Sequence, residues 1–249
     1  MMKKIQKTTT TQKAISYLRE FIKRYNKNKL PNEIELSKEL GVSRLTLREA
    51  ITVLEKEGLV SRIQGSGTKI NSFVTKLQNR IDIGSDIETC LKDNGYDVRF
   101  DVIDMKKRMA SEIEIQKLKL QKNDYILEIQ KLLYADEFVA AYYIDRIPFK
   151  YFKTTDFKIE DFKPCIFPVI ESLTQKDITH DIVRIKACLP DNNLKKFFNL
   201  DDNCPLLEYE VLEYSSDEIP LMYNSEYYTN KFINFTICRT VNYKDNRAY

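Results

Sequence analysis

The sequence predicts an α+β protein with two domains: a small helical head that ends in a hairpin, and a larger domain built on an antiparallel sheet. Apolar residues recur at helical spacing between Leu30 and Ile70 and then give way to a glycine-rich turn. From Arg80 onward most segments alternate like strands and are rich in Tyr, Phe, Ile and Val. The length of 249 residues also fits two domains. We assign residues 1–72 to the head, 73–79 to a polar linker and 80–249 to the second domain.

The head is predicted to begin with a scaffold helix that packs beneath the elements after it. Its first twelve residues have the composition of a basic, disordered arm, and a threonine run, Thr8–Thr11, precedes the helix. The apolar residues that then recur at helical spacing are Ala14, Ile15, Leu18, Phe21, Ile22 and Tyr25.

Two further helices follow, joined to each other by a tight turn. The first begins after Asn32, whose side chain can accept hydrogen bonds from the first-turn amides, and it ends at Leu40, where Gly41 allows a left-handed stop. Ser43 then caps the second helix. The apolar stripe of this helix, at positions i, i+3, i+4 and i+7, is Leu47, Ala50, Ile51 and Leu54.

The opposite face of that helix carries cationic side chains near its amino end. Arg44 and Arg48 lie one turn apart, where they could bind phosphate or the edges of guanines in a major groove. Thr46 and Leu45 lie beside them, and an exposed leucine there could contact a thymine methyl group. These residues predict a helix that recognises DNA.

A hairpin would add a second contact. Leu59–Ile63 and Thr68–Ile70 are strand candidates on either side of Gln64, Gly65, Ser66 and Gly67. The glycines permit positive φ and a close approach of backbone amides to a phosphate, although a plain tight turn is the alternative interpretation. Charge supports the DNA contact: residues 1–72 hold 15 Lys and Arg against 7 Asp and Glu, a net charge of +8, and the remainder has a net charge of −5.

Residues 11–71 resemble the winged helix-turn-helix domain of the GntR family of bacterial transcription regulators. The resemblance implies DNA contacts at Arg44, Thr46, Arg48 and Gly65, to which we add Ser43, Leu45, Gln64 and Gly67 as neighbours. The sequence departs from the family at Ile34, where an arginine is usual, and at Lys27-Asn28-Lys29, where the family has Pro-Gly before Leu-Pro. The motif residues that carry the resemblance are Leu30-Pro31, Glu33, Gly41-Val42-Ser43-Arg44, Thr46-Leu47-Arg48-Glu49-Ala50, Gly58 and Gly65-Ser66-Gly67-Thr68.

An internal repeat organises the second domain. When Leu120 is set on Leu200, two segments align that each predict the end of a helix, a strand, a turn and a strand, with Asp136-Glu137 and Asp217-Glu218 at the turns. We therefore expect two related hairpins in one antiparallel sheet, with helices over a face. Lys131 interrupts an apolar row on the first hairpin strand, so its amine either extends to the surface or lines a cavity where an anionic ligand could neutralise it.

Residues 80–240 resemble the UTRA domain of the HutC subfamily, which has a chorismate-lyase-like fold. The resemblance implies a small effector, often a phosphorylated sugar, and Lys131 matches a basic position. Leu133, Cys165 and Met222 depart from positions that are basic, hydroxyl-bearing and acidic in the family, so a less polar or singly charged effector becomes more plausible. The predicted effector-binding residues are Lys131, Tyr143, Cys165, Phe167, Arg184, Tyr223 and Tyr228.

Other function classes have little support in the sequence. There is one histidine, His180, and no phosphate-binding glycine loop, nucleophile elbow or metal motif, so we predict no enzyme, cofactor or metal; residual lyase activity is the enzyme alternative. The five scattered cysteines are expected to be reduced and mostly buried. No signal peptide or membrane span is evident, which predicts a cytoplasmic protein.

Together these patterns predict a sequence-specific transcription regulator that binds a palindromic operator as a homodimer and responds to a small effector. A homodimer with two heads is expected because one recognition helix contacts too few base pairs to give useful sequence specificity. A repressor is the first hypothesis and an activator remains open, since the sign of regulation depends on where the operator lies relative to a promoter. A non-specific DNA-binding structural protein is the non-regulatory alternative.

Overall fold

The computed structural model describes residues 9–25, 27–84, 87–163, 165–201 and 204–239. Two compact units are present: one formed by the chain up to residue 86 together with the stretch from residue 235, the other by residues 87–234. The assignment of 73–79 as a linker stays a prediction. Residues 1–8 of the predicted disordered arm lie outside the described residues. For the rest of the arm the prediction is wrong, because Thr9 caps the first helix and Gln12 lies within it.

The first unit contains three helices and a two-stranded hairpin: α1 (Thr10–Arg24), α2 (Glu33–Glu39), α3 (Arg44–Lys56), β1 (Val60–Ile63) and β2 (Gly67–Ile70). The predicted stripe of α3 is confirmed, since Leu47, Ala50, Ile51 and Leu54 are all buried. They pack against Leu18 of α1 and against other buried side chains. The remaining buried members of this core are Ala14, Ile22, Leu30, Leu36, Leu59, Val60, Ile70 and Val74.

Both predicted helix caps are confirmed. Asn32 Oδ1 accepts a hydrogen bond from the Glu35 amide at 2.9 Å, and Ser43 Oγ accepts one from the Thr46 amide at 3.0 Å. Gly41 has a φ of +62°, which ends α2 in the left-handed region without a steric penalty. These caps fix where α2 and α3 begin, and the buried stripe of α3 decides which of its other side chains point outward.

The second unit is one antiparallel sheet flanked by short helices. Its strands lie in the order β3-β4-β5-β8-β7-β6. The elements in chain order are α4 (Ile87–Asp93), β3 (Val98–Met109), α5 (Glu112–Lys117), β4 (Tyr125–Ala135), β5 (Phe138–Pro148), α6 (Phe167–Thr174), β6 (Ile178–Cys188), α7 (Asn192–Phe198), β7 (Leu206–Ser215) and β8 (Pro220–Tyr228).

The internal repeat is confirmed and is longer than the sequence alignment indicated. Each copy runs strand, helix, strand, strand: β3-α5-β4-β5 in the first and β6-α7-β7-β8 in the second. The two copies meet where β5 pairs with β8, so the strand order is symmetrical about that pair. Asp136-Glu137 and Asp217-Glu218 lie at the two hairpin turns, as predicted.

Helices cover both faces of the sheet, whereas the repeat suggested one. We call the two sides the Lys131 face and the Arg146 face. On the Lys131 face α6 packs through Ile170 and Leu173 against Leu127, Ile129 and Met222. On the Arg146 face α7 packs through Leu194 and Phe198, while the segment after α5 packs through Leu118. No helix in the described part of the chain is long and apolar enough to cross a membrane.

The cysteines are less buried than predicted. All five are free thiols, which agrees with the predicted reduced state. The expectation that most are buried is wrong: Cys165 is exposed because it precedes α6 on the surface, and the other four are partly exposed.

Candidate nucleic-acid interface and ligand site

The amino-terminal half of α3 presents the predicted DNA-binding side chains to solvent. Leu45, at the second position of α3, is 69 % exposed. Arg44 is exposed in the same turn, while Thr46 is partly buried and its hydroxyl lies 2.8 Å from Ser43 Oγ. The amino terminus of the helix carries a partial positive charge, and the exposed cation Arg44 and the exposed apolar residue Leu45 lie beside it.

Arg48 lies one turn further along α3 and is held by an acidic residue of α2. Its Nε lies 2.6 Å from Glu33 Oε2, and 58 % of the Arg48 side chain remains exposed. An exposed ion pair of this kind contributes at most about 1 kcal/mol. A DNA phosphate or guanine edge can therefore compete with Glu33 for the guanidinium group.

Arg62 of β1 is a further cation at this surface that the sequence reasoning missed. Its Nη2 donates to the Arg48 carbonyl oxygen and to Thr52 Oγ1, both at 2.8 Å. It therefore ties the hairpin to the outer side of α3. The sequence carries no signal for this role, because a cation is ordinary on a short strand that faces solvent. Only the contacts of Arg62 with α3 identify it.

The hairpin turn has the geometry that its glycines predicted. Gly65 and Gly67 have φ values of +73° and +88°, and a Cβ on either would meet nothing within 4 Å, so open space lies beside the turn. Gln64 and Ser66 are exposed. Lys29 Nζ donates to Ser66 Oγ at 2.8 Å, which places a cation from the α1–α2 connection at the tip of the β1–β2 hairpin, the wing of this domain.

In the second unit, Lys131 is buried rather than extended to the surface. It is 4 % exposed, and its Nζ lies 2.8 Å from Asp145 Oδ2 on the neighbouring strand β5. The interpretation in which the amine reaches solvent is thus excluded. The alternative, a cavity where an anionic ligand neutralises the lysine, loses its main support because Asp145 already supplies the counter-charge.

Polar groups continue across the Lys131 face on the strands that follow. Strand pairing sets Lys131 opposite Tyr143, then Glu226 on β8, then Tyr209 on β7. The next row contains Asp145 and Asn224. Glu213 of β7 pairs with Asp181 of β6 one row further. We call Asp145, Asp181, Glu213 and Glu226 the carboxylate cluster.

Burial perturbs the ionisation of this cluster. Burial raises the pKa of Glu213 to about 8, and the charges of Asp181, Glu226 and Asp145 add to that rise. Burial likewise raises the pKa of Glu226 to about 7, against the hydrogen bond from Tyr228 and the charge of Lys131. Carboxyl groups with raised pKa values, gathered at one place, mark a candidate functional site.

The structure does not bring the seven predicted effector-binding residues together. Lys131, Tyr143 and Tyr228 share one face, and the rings of Tyr143 and Tyr228 lie 5.9 Å apart. Tyr223 pairs with Arg146 and Arg184 pairs with Glu210, so both lie on the Arg146 face. Cys165 and Phe167 are exposed at the start of α6. The site that the geometry supports retains the first three of these residues.

The residues of this site that sequence reasoning missed are Asp145, Asn224, Glu226, Tyr209 and Glu213. A usable signal was present in β8, where Asn224 and Glu226 recur at the spacing of one strand face within an otherwise apolar and aromatic strand. A polar side chain on a buried strand face requires a hydrogen-bond or ionic partner, so its presence there marks a candidate position of a site.

Comparisons with known proteins agree with both halves of the chain. Residues 10–70 match the family described as bacterial regulatory proteins, gntR family, and residues 93–233 match the UTRA domain. HTH-type transcriptional regulator YurK of Bacillus subtilis (strain 168) is 26 % identical over 193 residues, covering 78 % of each chain. The mannosyl-D-glycerate transport/metabolism system repressor MngR of Escherichia coli (strain K12) is 23 % identical over 210 residues, covering 84 % of this chain and 85 % of that protein.

Solved structures share the fold. The possible transcriptional regulator YydK from Bacillus subtilis superposes with a TM-score of 0.75 at 18 % identity, covering 93 % of this chain and 100 % of that chain. PhnF from Mycobacterium smegmatis superposes with a TM-score of 0.59 at 18 % identity, covering 92 % of this chain and 100 % of that chain.

Proposed function

The chain belongs to the GntR family of bacterial regulatory proteins and carries a UTRA domain, and we propose that it is a repressor that leaves its operator when a small molecule binds the Lys131 face. The family makes it a DNA-binding transcription regulator. Repression is the activity named for the relative MngR. Its place of action would be the cytoplasm, where bacterial DNA lies.

One observation carries the DNA-binding part of the proposal: the outward face of the capped helix α3. Arg44, Leu45 and Arg48 lie on its exposed side, while the opposite side is fixed in the core. We propose that this face enters a major groove and that Gln64, Gly65 and Gly67 of the wing contact the adjacent phosphates, with Ser43 and Thr46 at the start of the helix.

We propose that the protein acts as a homodimer on a palindromic operator. A single recognition helix contacts too few base pairs to select a site in a genome, whereas two heads double the contact. Strand β6 offers a surface for the second copy. It lies at the edge of the sheet, and Ile182, Val183 and Ile185 are 51 %, 36 % and 45 % exposed. An exposed apolar edge strand is a surface that proteins usually cover.

Effector binding is proposed to act by shifting the balance between states that hold the two heads at different spacings. A coupling of about 1–3 kcal/mol, or roughly 5- to 150-fold in affinity, is typical of such regulation and would vacate an operator. We propose that the second domain binds its ligand without turning it over. Consumption of a hydroxyaromatic acid by the purified full chain would support the lyase alternative instead.

The test is a selection of duplexes from a random pool with the full chain at moderate salt, followed by titration of the selected duplex. The proposal predicts an inverted repeat whose affinity falls when the effector is added. A pool that emerges without sequence preference would refute regulation at an operator and favour a non-specific DNA-binding structural protein. Selection of a single half-site would refute the homodimer.

A further inference from the structure

The carboxylate cluster contains more acidic groups than the described part of the chain pairs with cations. Lys131 is paired with Asp145, but Glu213, Glu226 and Asp181 form no ion pair with any lysine or arginine in the described ranges of the chain. By contrast, Glu128 on the Arg146 face is bonded to Arg108 and lies 3.2 Å from Lys106. The two faces of one sheet therefore differ: the acidic group Glu128 is paired with cations on one face, whereas three of the four acidic groups of the cluster on the other face have no cationic partner among the described residues.

A buried hydrogen-bond acceptor, Asn224, lies on the same face of the sheet as the cluster. Asn224 is 3 % exposed, and its Oδ1 has no hydrogen-bond partner among the described residues. It pairs across the sheet with Asp145 and lies two residues before Glu226 on the same strand face. A buried acceptor without a partner destabilises the protein, and a donor from a ligand would recover the lost hydrogen bond.

Aromatic rings form the remaining wall. The Tyr209 and Tyr228 rings lie 5.2 Å apart and the Tyr143 and Tyr228 rings 5.9 Å apart, in edge-to-face arrangements. Tyr143 and Glu226 are only partly buried, so solvent reaches this side of the sheet. Aromatic ring faces and carboxylates both attract cations.

We propose that the effector of this regulator carries a protonated primary or secondary amine, which binds between Glu226, Glu213 and Asn224 on the Lys131 face. An ammonium group supplies both the missing positive charge and a donor for Asn224 Oδ1, and its methylene neighbours can lie against Tyr209 and Tyr228. A quaternary ammonium lacks the donor and would bind more weakly. This inference rests on the proposed function, since it assigns the chemistry of the same ligand site.

The same residues argue against a phosphorylated ligand. A phosphate would approach three acidic groups, and Lys131, the cation that pairs with the cluster among the described residues, would have to exchange Asp145 for it. The resulting unpaired buried Asp145 would be costly. Leu133 and Met222, which depart from the family pattern, are fully buried and apolar, so neither supplies a compensating group.

The experiment compares matched ligands that differ only in charge, using the full chain. Three trios are suitable: putrescine, butanediol and succinate; glucosamine, glucose and gluconate; tyramine, tyrosol and hydroxyphenylacetate. Glucose phosphate is added as the phosphorylated member. Each compound is tested by thermal shift at up to about 10 mM, which detects millimolar affinity, and hits are titrated by calorimetry.

Three variants make the result specific to the site. Glu226→Gln and Glu213→Gln each replace one acidic group of the cluster, which could pair with an ammonium ion, by a neutral amide, and each should weaken amine binding by at least about tenfold. Glu208→Gln removes the same charge from β7 on the Arg146 face and should leave the affinity within about twofold. Each variant is first checked to melt no lower than the unmodified chain at the pH of the binding assay, so that a loss of binding is not a loss of folding.

The proposal is supported if an amine is the tightest member of its trio and both cluster variants, but not Glu208→Gln, weaken it. It is overturned if no amine shifts the melting temperature, if an anion binds most tightly, or if Glu208→Gln weakens binding equally. DNA titration separates this from the proposed function. If an anion releases the operator, the amine proposal is refuted and the proposed repressor function is retained. If the chain binds an amine at the cluster but selects no operator, the amine proposal is retained and the proposed repressor function is refuted.

Discussion

Substituting Glu213 by Gln should stabilise the protein at alkaline pH and have much less effect in acid. Glu213 is 3 % exposed, and its pKa of about 8 exceeds the ordinary value of 4.5. A carboxyl whose pKa is raised by folding favours the fold below its unfolded pKa, and that contribution is lost as pH rises through the folded value. Gln cannot ionise, so the variant does not suffer this loss.

The magnitude follows from the two pKa values. At about 1.4 kcal/mol per pKa unit, the difference corresponds to an upper limit of about 4 kcal/mol at pH 8, and local relaxation reduces this to about 2–3 kcal/mol. For a chain of this size the melting temperature should rise by roughly 5–10 °C. Thermal unfolding is followed by circular dichroism at pH 5 and pH 8, with Glu208→Gln as the control on the opposite face.

The expected signature is a melting-temperature gain at pH 8 that falls to no more than about 3 °C at pH 5, with little change in Glu208→Gln at either pH. An equal gain at both pH values would show that packing, not ionisation, distinguishes the variant. No gain at pH 8 would refute the assignment of Glu213 as a buried, destabilising carboxylate.

Four other substitutions test the remaining parts of the account. Arg48→Ala should weaken operator binding by about 1–3 kcal/mol and relax the preference at one base pair of each half-site, measured by anisotropy and repeated selection; unchanged affinity and motif would refute the base contact. Glu33→Gln should tighten binding by up to about 1 kcal/mol, because Arg48 no longer has to leave an ion pair, and weaker binding would contradict that competition. Leu54→Ala should lower the free energy of unfolding of the head by about 2–5 kcal/mol in denaturant titration, and a loss below 1 kcal/mol would contradict its place in the core. Asp145→Asn should cost about 3–5 kcal/mol by leaving Lys131 buried and unpaired, and a neutral result would show that Lys131 has another partner.

Local patterns predicted the head well because the interactions that shape it span only a few residues. Asn32 and Ser43 each bond an amide three residues on, and Gly41 acts through its own backbone. The Arg48–Glu33 pair joins residues fifteen apart on different helices. Its existence depends on how α2 and α3 pack, which no spacing rule supplies.

The ligand site was harder to predict because strand register, not spacing, decides which residues share a face. Odd-numbered residues of β4, β5 and β7 lie on the Lys131 face, but on β8 the even-numbered ones do, as with Glu226 beside Tyr143. Tyr223 is therefore on the other side of the sheet from Tyr228 despite lying on the same strand. The repeat located both hairpins correctly, yet it could not show how β5 pairs with β8 and hence which polar residues meet.

The central claim, that the outward face of α3 recognises a base sequence, is tested most directly by the specificity ratio. The full chain is titrated in parallel with the selected duplex and with a scrambled duplex of equal length and composition at the same salt concentration. The account predicts that the selected duplex binds at least about a thousandfold more tightly. Equal dissociation constants for the two duplexes would contradict it, because only the shared phosphate backbone would then account for binding.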